Sequence, residues 1–148
     1  MVELKIALEG EQLMSRALMV SSLAIKDFKA PLTESAALLQ KTFQLNFDER
    51  GGLFGGWAPR KPQMRGGARV DTWPLLEKTG ELRKSFYSTV SGDTAVLGNS
   101  DPIFKFHQSN APRRKLPRRV MMAIRNSEKV LIQKFFHQHI VDSTRDFR

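Results

Sequence analysis

Between Gly51 and Thr72 the chain carries six glycines, two prolines and four basic residues, with no usable apolar period. A stretch of that length and composition forms neither a helix nor a central strand, and loops this long inside a domain are functional or disordered. Trp57 and Trp73 stand near its two ends and Phe54 lies close to the first. These large rings are internal anchors, which argue for an arm that docks on its own domain or on a neighbour. Helix and strand signals lie on both sides of this segment, so the expected fold class is α+β.

Before the arm, Val2, Leu4, Ile6 and Leu8 alternate with Glu3 and Lys5, the pattern of a half-buried strand. From Glu11 to Phe28 the period changes, with Met14, Leu18, Ser21, Ile25 and Phe28 on one helical stripe. A short connection over 29–32, marked by Pro31, leads to a second helix carrying Leu32, Ala36, Leu39, Phe43 and Phe47 up to Asp48. Gly51-Gly52 stops it, because glycine takes the left-handed cap conformation. After the arm, a short helix is expected from Thr79 to Lys84, with Thr79 as its cap and Glu81 in the positive first turn. Phe86 to Val90 and Thr94 to Leu97 flank Ser91-Gly92-Asp93 as a hairpin. Pro102 to Gln108 reads as a helical turn, residues 109–119 as a basic loop, and Val120 to Ile124 as a further strand. A final helix runs from Ser127 to Val141, where Val130, Leu131, Phe135, Phe136 and Ile140 cover more than one face. A surface that wide implies burial on two sides, which an oligomer supplies. The expected architecture is a small antiparallel sheet packed against N-terminal helices and a C-terminal helix, in one domain over 1–148, with an extended arm at 51–75.

Charge is concentrated. The chain carries a net +9, yet residues 1–50 hold six Lys/Arg against seven Asp/Glu. Residues 51–75 hold four basic residues against one acid, and 113–125 hold six against none. A local excess points to a polyanionic or acidic partner at that place. Arg113, Arg114, Lys115, Arg118 and Arg119 are therefore candidate contacts with phosphates or with an acidic protein face. With no interleaved aromatics, any DNA contact is to the backbone.

The chemistry-bearing residues do not assemble into a catalytic motif. Thr79, Ser85 and His107 supply hydroxyls and an imidazole, but no strand–Gly-x-Ser-x-Gly–helix elbow surrounds them and no acid is placed to orient the histidine. His137 and His139 sit about 200° apart around a helix, so their rings diverge. The Gly51–Gly56 run lacks the Lys-Ser/Thr of a phosphate-binding loop. Cysteine is absent, which removes disulfides and thiolate metal sites. No apolar run reaches the roughly 20 residues of a membrane span, and the first residues do not read as a signal peptide. The expectation is an intracellular protein with no cofactor, no metal, no membrane partner and no enzymatic activity.

Taken in order, the pieces carry more. Phe47-Asp48-Glu49-Arg50 leads through the glycines to Trp57-Ala58-Pro59. Leu76-Glu77-Lys78-Thr79-Gly80-Glu81-Leu82-Arg83-Lys84-Ser85-Phe86 has the form Leu-x-x-Thr-Gly-x-Leu-x-x-Ser-Phe. Gly98 ends the hairpin, Phe104-Lys105-Phe106-His107-Gln108 follows, and Pro117-Arg118-Arg119 closes the set. This ordered series resembles the phage virion morphogenesis (tail completion) family over nearly the whole chain. Ser109-Asn110 departs from the glycine that often follows the His-Gln pair, and Phe104 replaces a frequent tyrosine.

The resemblance implies a structural part of a tailed phage or prophage, acting in tail completion or at the head–tail junction. It implies a ring around the DNA channel, hexameric by expectation, with neighbouring neck or tail proteins as partners and DNA touched through its backbone. The location implied is the virion neck or tail, with the host cytoplasm during assembly. On this reading Thr79, Gly80, Leu82 and Ser85 shape the short helix, and His107 and Gln108 tie the hairpin to the helices. Phe54, Trp57 and Trp73 anchor the arm on self or neighbour, and the basic segment faces DNA or an acidic neighbour. The other reading of the charge is a monomeric basic module that binds nucleic acid non-specifically.

Overall fold

The computed structural model describes residues 3–7, 27–110 and 116–145, and within them the chain is α+β. The elements are β1 (Glu3–Ala7), α1 (Lys29–Asp48), a 3-10 turn (Gly52–Phe54), β2 (Met64–Arg65), β3 (Ala68–Arg69), α2 (Glu81–Lys84), β4 (Phe86–Ser91), β5 (Thr94–Asn99), α3 (Phe104–Gln108) and α4 (Asn126–Arg145). β5 lies between β1 and β4 in a three-stranded sheet, and β2 pairs with β3 in a separate antiparallel ribbon. The expected helix over 11–28 falls largely outside the described residues, as do Arg113, Arg114 and Lys115.

The chain divides into two compact units. One comprises the described parts of Lys41–Tyr87 and Gly98–Ala123; the other those of Glu3–Gln40, Ser88–Leu97 and Ile124–Arg148. In the second unit the stretch expected to connect two helices is itself helical. The Asp27 carboxylate accepts the Lys29 N–H at 2.8 Å, satisfying a donor that the helix start leaves open. Pro31 is tolerated in that first turn because its missing N–H is not needed there. Leu32, Ala36 and Leu39 are buried at helical spacing. The start of α4 uses the reciprocal device. The Glu128 carboxylate, three positions into the helix, accepts the Arg125 N–H at 2.9 Å and pairs with the Arg125 guanidinium. That pairing holds the Glu128 carboxyl below the ordinary range of its type. Phe28 packs on Phe136 at 5.8 Å, and His139 Nε2 lies 2.8 Å from the Asp27 carbonyl. Val130 and Leu131 are exposed, so α4 is not covered on every apolar side by described residues.

The first unit is organised around phenylalanine. Phe86, at the start of β4, meets Phe43 at 5.7 Å, Phe47 at 6.0 Å and Phe104 at 5.9 Å between ring centres. Phe43 and Phe47 arrive from α1 at i and i+4, which places both on one side of the helix. Leu82 and Met121 are buried in the same unit. Aromatic pairs in tilted or edge geometry contribute about 0.5–1.5 kcal/mol each beyond their area. Phe86 takes part in three of them. Phe86→Ala should therefore cost about 3–5 kcal/mol in denaturant unfolding. A loss below about 1 kcal/mol would show that the cluster is not the centre of the unit.

Candidate functional site

The arm does not wander. α1 ends where Arg50 and Gly51 take positive φ values of 49° and 84°, and the Gly51 N–H closes on the Asn46 carbonyl at 2.8 Å. The Trp57 ring then lies directly on Gly51: a β-carbon there would fall 2.2 Å from Trp57 Cδ1. Glycine is required twice at this position, for the backbone angle and for the absence of a side chain. Trp57 packs edge-on against Phe47 at 5.0 Å, and Phe54 packs edge-on against Phe43 at 6.3 Å. Both rings dock on their own unit.

Further along, a feature absent from the sequence reading appears. Gly66 and Gly67, with φ of 57° and 81°, form a two-residue turn that pairs Met64 with Arg69 and Arg65 with Ala68. Consecutive positive φ values give the turn whose twist suits a hairpin. Asp71 roots this ribbon. Its carboxylate is 1% exposed and meets Arg69 Nε at 2.9 Å, the Gln63 N–H at 3.1 Å and Arg60 Nε at 3.1 Å. The Arg69 hydrogen bond holds the Asp71 carboxyl below its ordinary value, against the opposing effect of burial. Arg60 also donates to the Trp73 carbonyl, and its guanidinium lies 5.2 Å from the Trp73 ring centre. Lys78 Nζ lies 5.0 Å from the same ring centre. Trp73 is thus held by two cations, a use of the ring's negative face.

Beneath the arm, residues 118–122 form the centre of the site. The sequence pattern over 120–124 predicts a strand, but the segment belongs to no sheet. Side chains supply the hydrogen bonds that a ladder would have made. Gln108 Oε1 accepts the N–H groups of Met121 at 2.7 Å and Met122 at 3.0 Å, while its Nε2 donates to the Met122 carbonyl at 2.7 Å. One side-chain amide thereby imitates a neighbouring peptide. The Val120 carbonyl accepts both Trp57 Nε1–H at 2.7 Å and Asn46 Nδ2–H at 3.1 Å. The Arg119 N–H donates to the His107 carbonyl at 2.9 Å.

Arg119 requires a correction. It was expected among the cations that face a partner, yet it is 3% exposed. Its Nε donates to the Ala58 carbonyl at 2.9 Å, and an Nη lies 3.3 Å from His107 Nδ1. The second Nη donates to the Pro59 carbonyl at 3.4 Å. Among the described residues its partners are neutral acceptors. Burial lowers its pKa, and the charge of Arg60 adds to the effect, but guanidinium remains protonated because its reference value is so high. The charge ties the arm's Trp-Ala-Pro turn to the segment beneath it. Arg118 is exposed and donates to the Gln108 carbonyl at 3.3 Å.

The Thr-Gly-x-Leu piece is structural too. Gly80, at φ 76°, caps α2 without a side-chain bond, one residue after the expected Thr79, whose Oγ1 nevertheless accepts the Glu81 N–H at 3.3 Å. Leu82 is buried and its carbonyl accepts Asn99 Nδ2–H at 2.7 Å. The Ser85 hydroxyl donates to the Glu81 carbonyl at 2.7 Å, closing the helix. Arg83 pairs with Asp48 at 2.8 Å, which raises its pKa further. His107 and Gln108 were expected to tie the hairpin to the helices; they bind the 118–122 segment. Asn46, Arg60, Asp71 and Asn99 were not singled out from sequence. Asp71 had a signal, as the one acid in a basic stretch, whereas Asn46 and Asn99 look like ordinary polar positions.

The geometry describes a scaffold in which hydroxyls, imidazole and guanidinium are engaged in holding backbone. The sequence profile of the phage virion morphogenesis family matches residues 9–141. The chain belongs to that family, whose description places it in the assembly of phage virions. No curated protein and no solved structure matches it.

Gln108→Leu keeps the bulk but leaves the Met121 and Met122 amides without their acceptor. With about 1–3 kcal/mol for each buried group left unsatisfied, unfolding stability should fall by about 2–6 kcal/mol. Protection of those two amides from hydrogen exchange should drop with it, and unchanged protection would rule out the pinning role. The acid response of the ribbon root follows from the lowered Asp71 value. Its contribution is fully present above the ordinary carboxylate value of 3.8 and is lost as pH falls through the lower folded value. The Gln63 amide and Trp73 indole NMR signals should hold steady on acidification to 3.8 and move only below it. In Asp71→Asn they should be displaced already at neutral pH. Movement well above 3.8 in the unsubstituted protein would contradict the assignment.

Proposed function

We propose that this chain is a non-catalytic structural component acting in tail completion or head–tail joining, as a closed ring around the DNA channel with six copies expected. The observation that carries this reading is the convergence of the family's sequence pieces on backbone support. Trp57, His107, Gln108 and Arg119 hold residues 118–122, and Thr79, Gly80, Leu82 and Ser85 shape α2. A Ser85 hydroxyl committed to a carbonyl and a His107 Nδ1 facing a guanidinium are arranged for rigidity, not for nucleophilic attack.

Rigid protomers with exposed apolar side chains suit repeated subunit contacts. Leu45, Ile103 and Phe106 provide such positions on the first unit, and Val130 and Leu131 on the second. Head-to-tail contacts generate a ring when the rotation closes. The partners in this reading are further copies, adjacent neck or tail proteins, and the backbone of DNA in the channel. The protein acts in the neck or tail of the virion after assembly in the host cytoplasm. The net charge of +9 favours one other reading, a monomeric basic module that coats nucleic acid.

Light-scattering mass measurement on the purified full chain, alone and mixed with tails prepared without it, should give a discrete multi-subunit species or stoichiometric capture by the tails. Removing the gene from its phage should leave heads and tails unjoined, and added protein should restore infectious particles. A monomer that ignores tails and whose gene is dispensable for particle formation would sink the proposal and favour the nucleic-acid module.

A further inference from the structure

Every residue from Lys61 to Val70 is exposed. A two-residue ribbon has little stability of its own, so its persistence depends on the Asp71 root and the Trp73 clamp. The cations divide accordingly. Arg60 is committed to Asp71 and the Trp73 carbonyl. Arg69 meets Asp71 but leaves 52% of its side chain exposed, and Lys61 and Arg65 form no ion pair with any described residue. The one acid of the segment is consumed at the root, and the outer ribbon is left purely basic.

We propose that the β2–β3 ribbon is a finger that enters a groove of duplex DNA and binds phosphates through Lys61, Arg65 and the exposed part of Arg69, without reading sequence. The register favours a groove over a flat acidic protein surface. Directly paired residues share a face of an antiparallel ribbon, and adjacent residues take opposite faces. Arg69 therefore leaves on the face of Met64, and Arg65 on the face of Ala68. A flat surface engages one face at a time, whereas a groove presents phosphates on both sides. Two strands about 4.8 Å apart fit a major groove about 12 Å wide, which admits a two-stranded ribbon. At the tip, a β-carbon on Gly66 or Gly67 would meet nothing within 4 Å. These glycines serve the turn angles and leave a thin end that a phosphate can approach. The fixed root limits the ordering lost on binding.

This assignment deepens the DNA-channel reading by naming the residues that reach the DNA. Its test is made in solution, so its failure leaves the ring proposal standing. The full chain is titrated with a mixed-sequence duplex of about 30 base pairs over a salt series, with anisotropy as the readout. Each phosphate contact adds about 0.9 to the slope of log affinity against log salt. Lys61→Gln with Arg65→Gln should therefore lower the slope by about 1.8, equally for duplexes of unrelated sequence. Lys41→Gln with Lys129→Gln, which removes two exposed charges elsewhere, should leave the slope as it was. An unchanged slope in the ribbon variant overturns the proposal, as does absence of duplex binding by the unsubstituted chain. Loss of self-association with the DNA slope intact would also overturn it, and would mark the ribbon as a subunit contact.

Discussion

The carbonyl of Val120 and the amides of Met121 and Met122 have no strand to pair with, and the first unit is arranged around that deficit. Buried peptide groups left without partners would each cost a large part of a domain's net stability. Gln108 supplies a substitute peptide from α3, Asn46 reaches across from α1, and Trp57 descends from the arm. Three parts of the chain far apart in sequence become interdependent through one short segment. The Asn46 side chain is fully buried, and its Oδ1 finds no hydrogen-bond partner among the described residues.

Arg119 extends the same logic with a charge. A buried guanidinium held by carbonyls and an imidazole gains from directional, charge-assisted hydrogen bonds and loses hydration in exchange. Its value lies in geometry. Several planar donors can bind the Ala58 and Pro59 carbonyls together, which a single ammonium cannot do in the same arrangement. The arm is thereby fixed at its first turn by Trp57 and Arg119, and at its far end by Asp71, Arg60 and Trp73. Between these two fixings the chain has no apolar period, and there it projects the exposed ribbon. A rooted base gives order where the arm joins its unit, and the exposed ribbon reaches beyond it.

The secondary structure with strong periodicity was legible. The helix carrying Leu32, Ala36, Leu39, Phe43 and Phe47, the hairpin over Phe86 to Asn99, and the C-terminal helix lie close to where their patterns put them. The α2 region was legible because Gly80 and Thr79 mark a helix start locally. The ribbon was missed because its Gly-Gly turn is flanked by Met64-Arg65 and Ala68-Arg69, without the apolar alternation that announces a hairpin. The strand expected over 120–124 was a misreading with a physical cause. Apolar residues in a row report burial, and burial by side-chain hydrogen bonding looks the same in sequence as burial in a sheet.

The sequence alone determined the α+β class, the interruption at Gly51, the family signature and the concentration of positive charge. Those properties depend on near neighbours or on order along the chain, so they survive without coordinates. Only the tertiary structure decided which charges face inward. Arg118 and Arg119 are adjacent and alike in composition, yet one is exposed and the other is closed beneath the Trp57 turn. The difference arises because Arg119 meets carbonyl oxygens from residues about 60 positions earlier, and burial depends on those distant partners more than on the residue itself.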